Sequence, residues 1–367
     1  METSRVVKTF LEYVQISSES RWEAAFSQRL AEDLQQIGLT VETDDSADKV
    51  KANTGNLYAF LPGEADLEPI LLCAHMDTVP PGQGIHPVIE DGIIRSASDT
   101  ILGSDDKSGA AAIVEALREI VQQKLPHRPV EVVFTICEEV GLLGAKYLDY
   151  SRLRAKKAVV FDNEGDVGTI VNQAPGHVEI SATITGRAAH AGVAPEEGIS
   201  AIQVAAEAVS QMQLLRIDAE TTANIGTFFA AGPNNIVPET VRLAAEVRSL
   251  DPQKLKRQCR QITDALQTAC QKYGASLQYS EEPSYSGYQI AETDPWIQQL
   301  KDCLHALDYP VRLCATGGGS DANILNQNGI QAVVVGTGME KIHTVSEYIT
   351  LQNLERTKAF TMGLIQK

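Results

Sequence analysis

Hydrophobic and polar positions follow two textures along this chain. Up to about residue 176, and again from about residue 287, compact apolar runs stop abruptly at acidic or imidazole side chains; between them, residues alternate one by one. The run Pro69-Ile70-Leu71-Leu72-Cys73-Ala74 delivers His75 and Asp77. It reads as a buried strand with a polar pair at its carboxyl end. Val130 to Cys137 repeats the arrangement with Glu138 and Glu139, and Ala158 to Phe161 does so with Asp162. Ligands of open α/β sheets gather at that edge. The segment Gly103-Ser104-Asp105-Asp106-Lys107-Ser108-Gly109 runs into AAAIVEALREIVQQ, which is apolar at Ala112, Ile113, Ala116, Leu117, Ile120 and Val121. That period predicts a helix with Asp105 and Asp106 at its start, where the dipole and free N–H groups favour carboxylates.

The flanking pattern completes this domain. Residues 1 to 38 read as two helices, the first amphipathic through Val6, Val7, Phe10, Leu11 and Val14, the second spanning Trp22 to Ile37 and stopped by Gly38. LTVETDD and NLYAFLPG read as strands. From His177, HVEISATITG alternates cleanly, with Val178, Ile180, Ala182 and Ile184 on one face. A helix, two strands, the helix between Asp251 and Gly274, and a last strand ASLQYSEE follow. This β-α-β-β-α-β order predicts a ferredoxin-like domain inserted at residues 177–286. The outer domain, 1–176 and 287–367, then resumes with a helix from Pro295 to Leu307, the loop TGGGSDAN, the strand Ala332 to Gly336, GMEKIHTVSEYIT and a final helix from Leu351 to Ile365. The expected class is α/β, with a mixed central sheet flanked by helices.

Composition narrows the options. A length of 367 residues favours two domains, and 43% hydrophobic with 22% charged residues is the balance of a soluble globular protein. No apolar run approaches the ~20 residues of a membrane span. The start METSRVVKTFLEYV lacks a basic region followed by an apolar core, so a cytoplasmic protein is expected. A formal charge of −17 argues against a nucleic-acid partner. Six cysteines without CxxC spacing read as reduced thiols.

Seven side chains fall at strand ends or loops of the outer domain: His75, Asp77, Asp105, Glu138, Glu139, Asp162 and His343. Taken singly, each acid reads as a solvated strand end or a helix cap. Jointly, carboxylates and imidazoles without thiolates suit a catalytic site for zinc, manganese or cobalt. Five such ligands would serve two ions sharing one carboxylate, and two ions ~3.5–4 Å apart form a hydrolytic device. Glu138 beside Glu139 would also be mutually repulsive without a nearby cation.

AHMDTVP, GSDDKSG, the EE pair, VFDNEG, the inserted domain carrying AAHAG, and GMEKIHTVSE together resemble the dinuclear-zinc aminoacylase and carboxypeptidase superfamily, closest to its peptidase T-like members. The resemblance spans essentially the whole chain. It implies that His75 and Asp162 hold one zinc, that Glu139 and His343 hold the other, and that Asp105 bridges them. It makes Asp77 the carboxylate that orients His75. Glu138 becomes the general base, taking a proton from the bridging water and passing it to the leaving amine. The Asp105–Asp106 peptide bond is expected to be cis. In similar enzymes the inserted domain pairs with its copy in a second subunit, so a homodimer is implied, with His190 stabilising the oxyanion of the partner's site. Asn235 and Arg248 would bind the substrate carbonyl and carboxylate, and Gly317, Gly318 and Gly319 would lie along the substrate. On its strand Arg248 shares a polar face with Arg242 and Glu246, so a surface ion pair is its plainer reading.

Peptidase T carries an arginine just before these glycines, whereas this chain has Thr316, more like the loop of the carboxypeptidase and deacylase branches. Two substrate classes therefore stay open, a short peptide cut in the manner of peptidase T and an N-acyl amino acid or carboxyl-terminal residue. An inactive peptide-binding scaffold would have lost the base or a ligand, and every such position is filled. A purely structural dimerisation protein leaves the convergent acids unexplained.

Overall fold

The computed structural model describes residues 4–366, so the expected domain limits at 1 and 367 lie outside the described residues. The chain forms two compact units. One comprises the segment up to Asn172, Ile290–Ala315 and the segment from Ser320; the other comprises Gln173–Gln289 with Thr316–Gly319. The glycine loop, placed in the outer domain by its position in the sequence, thus groups with the inserted segment. Thr316 N–H bonds the Gln173 carbonyl at 3.0 Å. No helix among the described residues is long and apolar enough to cross a membrane.

Four parallel strands form the centre of the first unit, in the order Val130–Thr135, Ile70–His75, Lys157–Asn163, Gln331–Gly336. Their residues are buried almost throughout, which explains why the sequence shows continuous apolar runs here rather than alternation. Leu57–Leu61 and Thr40–Thr43 extend one side antiparallel; on the other, Thr169–Ala174 pairs antiparallel with Gln331–Gly336 and Arg312–Ala315 joins it.

The helix Ser104–Gln123 crosses between the strands Ile70–His75 and Val130–Thr135. Its first residues are not helical: Asp105 (φ −83, ψ 103) and Asp106 (φ −119, ψ 34) form a kink. Asp106 Oδ1 accepts the Gly109 N–H at 3.3 Å, an N-cap for the regular turns that follow. The Asp105–Asp106 peptide bond is cis, as the resemblance implies. Gly109 is where the helix meets the sheet: a Cβ there would lie 2.6 Å from the Phe161 Cβ and 2.5 Å from Asp106 Oδ1.

Two features depart from the sequence pattern. The second helix begins at Ala24 rather than Trp22. Arg21 adopts a left-handed conformation (φ 79), Trp22 is exposed, and Glu23 turns inward to accept the Arg21 N–H at 2.8 Å. A small antiparallel sheet of Met339–Glu340, Tyr348–Thr350, Ile93–Ser96 and Pro87–Glu90 was also not anticipated. Its hairpin turns at Asp91-Gly92 with φ of 50 and 79, the left-handed pair that Asp-Gly favours.

The second unit carries an antiparallel sheet in the order Leu215–Arg216, Thr221–Phe229, Thr240–Ser249, Gly176–Thr185, Ser276–Tyr285. Helices Ala201–Ser210 and Pro252–Tyr273 pack against it, so the ferredoxin-like βαββαβ order holds. Ile180, Ala182 and Ile184 alternate into a core with Val204, Val241 and Ile262. Asp251 caps the long helix through the Gln253 and Lys254 amides, and Gly274 ends it with φ 68. All six cysteines are free thiols.

Candidate metal centre

All four parallel strands deliver site residues from their carboxyl ends. His75 closes its strand, and Glu138 and Glu139 follow Val130–Thr135. Asp162 ends the run of Lys157–Asn163, and His343 follows Gln331–Gly336 after a short link. Asp105 enters from the kinked helix start. A parallel sheet makes this convergence automatic, because every strand points its last side chains to the same edge.

Asp105 stands between the two imidazoles. Its Oδ1 lies 2.9 Å from His75 Nε2 and its Oδ2 lies 3.2 Å from His343 Nε2. His75 Nε2 is also 3.7 Å from Asp162 Oδ1, and His343 Nε2 is 3.0 Å from Glu139 Oε1. Among the described residues, three groups each bring their candidate ligand atoms within 4.8 Å of one another: His75, Asp105 and Asp162; Asp105, Glu139 and His343; and His75, Glu138 and Glu139. The first two share Asp105.

The electrostatics test whether this donor set fits cations. Burial, reinforced by repulsion from Asp162, pushes Glu138 well above the usual carboxylate range. Burial raises Asp162 to about 7 against the opposing hydrogen bond of His75, and it raises Glu139 and Asp106 too. Asp105 resists burial because His343 and His75 hold it ionised. Hydrogen bonds to Asp105 and Glu139 lift His343 to about 10. Without a cation the site crowds acids that burial disfavours as anions, and it recruits imidazolium to offset them. Divalent ions would supply that charge, and imidazole with carboxylate is their donor chemistry. The residues fit.

Behind the candidate ligands lies a second layer. His75 Nδ1 meets the Asp77 carbonyl at 2.8 Å, closer than the Asp77 carboxylate at 3.6 Å. That carboxylate instead takes the amides of Glu138 and Glu139 at 2.9 and 3.2 Å and the Ser20 hydroxyl at 2.7 Å. Two further acceptors hold the same turn: Asn56 Oδ1 takes Ile136 N–H at 3.1 Å, and Glu23 Oε1 takes Cys137 N–H at 3.0 Å. Four successive amides, Ile136 to Glu139, therefore end on side chains from elsewhere, and Cys137 is held at φ 53. Sequence reading missed Glu23 and Asn56, since one acid at a helix start carries no signal of burial. It likewise gave no role to Asp321, buried against Thr135 and pushed up to about 6 by burial, or to Glu347.

The remaining predicted residues belong to the second unit. His190 is exposed, and its Nδ1 accepts the Gly192 N–H at 3.2 Å. The Asn235 carbonyl accepts the Ala191 N–H at 2.9 Å, so the two motifs lie side by side. Arg248 Nη2 pairs with Glu246 Oε2 at 3.0 Å, the ion pair that its strand face suggested. A Cβ on Gly319 would collide with the Tyr285 ring at 2.2 Å, whereas Gly317 faces open space and Gly318 has only the Thr316 hydroxyl nearby.

Known proteins are similar to this chain over nearly its full length. The Bacillus subtilis protein YqjE is 39% identical over 99% of this chain and 98% of its own length. Peptidase T of Geobacillus kaustophilus is 25% identical over 98% of this chain and 97% of its own. Among solved structures, aminopeptidase PepT from Bacillus cereus superposes with a TM-score of 0.93 at 39% identity, covering 100% of this chain and 98% of that one. A tripeptidase from Staphylococcus aureus gives 0.95 at 38% identity, covering 99% and 97%. The model of peptidase family M20/M25/M40 matches residues 71–367. Carrying that family's sequence over most of its length and the fold of full-length peptidases, the chain belongs to peptidase family M20/M25/M40 and is a hydrolase.

Proposed function

We propose that this chain is a two-zinc, peptidase T-like hydrolase of short peptides, with Glu138 as its general base. The observation that carries the reading is the pair of three-residue donor groups that share Asp105, with Glu138 beside them. His75 and Asp162 would hold one ion, Glu139 and His343 the other, and Asp105 both. Such ions polarise a scissile carbonyl and make water nucleophilic at neutral pH. Zinc suits the mixed imidazole and carboxylate set; manganese or cobalt would be bound by the same atoms.

The chain's own residues do the proton work. Glu138 takes a proton from the attacking water and returns it to the leaving amine, a role for which burial near other acids raises its basicity. Asp77 serves both sides, its carbonyl fixing the His75 ring and its carboxylate fixing the turn that carries Glu138 and Glu139. His190 is the oxyanion donor: with Nδ1 accepting the Gly192 amide, its proton sits on Nε2. It would act in the site of a second copy, in a cytoplasmic homodimer joined through the inserted domain. Asn235 binds the substrate carbonyl, Gly317 to Gly319 lie along the peptide, and Arg248 binds a carboxylate once it exchanges Glu246 for substrate.

The named relatives favour a tripeptide cut at its N-terminal residue. Thr316 before the glycine loop favours a carboxypeptidase or N-acyl amino acid deacylase as second reading. Mass spectrometry of products from a tripeptide, a dipeptide, an N-acyl amino acid and a γ-glutamyl peptide separates them. Release of the tripeptide's first residue is expected. Release of its last residue, or of the acyl group alone, would move the enzyme to the second reading.

A further inference from the structure

Glu347 lies four residues after His343 and is 2% exposed. Its carboxylate collects four donors from a single loop. Oε2 accepts Leu102 N–H at 2.7 Å and Gly103 N–H at 2.8 Å. Oε1 accepts the Ser104 hydroxyl and the Asp105 N–H, the latter at 3.1 Å. One side chain from the His343 segment therefore accepts three amides and one hydroxyl of the turn that carries Asp105. Gly103, inside that turn, sits at φ 74. The two ends of this tie are the two ligand-bearing segments whose side chains meet at 3.2 Å, His343 Nε2 and Asp105 Oδ2.

We infer that Glu347 is a positioning residue for the metal centre, setting the Asp105 carboxylate against His343 so that ions are held by both segments at once. The inference rests on the two-metal reading given above. A carboxylate is required rather than any polar group, because both oxygens are acceptors for pairs of donors. Glutamine, equal in size, would turn an NH2 group toward two donors and leave them unsatisfied in a buried place. If the carboxylate merely stabilised the loop, its replacement would lower the melting temperature without changing how tightly ions are kept in folded protein.

The test is zinc affinity of the full chain, stripped and then titrated in competition with a chromophoric chelator, for wild type, Glu347→Gln and Glu347→Asp. Wild type should take two ions. Glu347→Gln should take two at saturation but hold one of them about 10–100-fold more weakly, with Glu347→Asp between them. Folded Glu347→Gln with wild-type affinity at both sites would overturn the inference while leaving the metal centre standing. Wild type that takes no ion would overturn the two-metal reading, and the inference with it. If Glu347→Gln does not fold, Ser104→Ala removes one donor from Oε1 only; a several-fold weaker ion supports the inference, and unchanged affinity contradicts it.

Discussion

At the residue scale, Glu138 is the side chain whose removal should separate chemistry from assembly. Its carboxylate is buried but its backbone, not its side chain, is what Asp77 holds. Glu138→Ala should therefore keep the fold and the metal content while turnover falls about 10²–10⁴-fold. Metal analysis beside steady-state kinetics checks this, and undiminished kcat would remove Glu138 from the mechanism. Asp77→Asn keeps size but offers only one acceptor oxygen to the two amides of Glu138 and Glu139. A fall in kcat or in metal affinity of about 10–100-fold is expected; wild-type values in both would mean that the carboxylate does not hold the turn. Residues that end apolar strands were legible in the sequence, since a run such as Ile70 to Ala74 announces where its last side chains go. Glu23, Asn56 and Glu347 were not, because what they accept is backbone amides brought in from distant segments.

At the element scale, the sequence reads best where burial imposes a period. The parallel strands and the alternating strand Gly176–Thr185 follow directly from their apolar spacing. The kink at Asp105 and Asp106 is invisible to a helical period, because the hydrophobic positions begin only after it. The Asp91-Gly92 hairpin carried a local signal, overshadowed by the motifs on either side. Close contact between helix Ser104–Gln123 and strand Lys157–Asn163 at Gly109 yields a prediction about stability. Gly109→Ala places a methyl group 2.6 Å from the Phe161 Cβ, which should cost about 1–3 kcal/mol. A denaturant midpoint equal to that of wild type would show that the contact relaxes without cost.

At the scale of the whole molecule, the charge crowded at the sheet edge ties folding to pH. Burial holds Asp162 at about 7 and Asp321 at about 6, both above the ordinary 3.8. Folded, metal-stripped protein thus binds more protons than the unfolded chain, and its stability falls as pH rises through that range. His343, raised from 6.5 to about 10, acts in the same direction: its contribution is complete below about 6.5 and is lost as pH climbs toward 10. Ions held by Asp162 and His343 require both deprotonated. The gap in Tm between zinc-loaded and stripped protein should therefore widen between pH 6 and 8. Parallel profiles would mean that the acids are not what the ions neutralise.

On the proposed reading, convergent strand ends build one two-ion hydrolytic site. The most direct test of that reading is to restore a metal-stripped sample with zinc, following tripeptide hydrolysis against equivalents bound. Activity that rises to a plateau at two ions per chain, and that is about 10²–10⁴-fold lower in Glu138→Ala carrying the same two ions, is the predicted result. Full hydrolysis by stripped protein, or a plateau at one ion with no further binding, would contradict it.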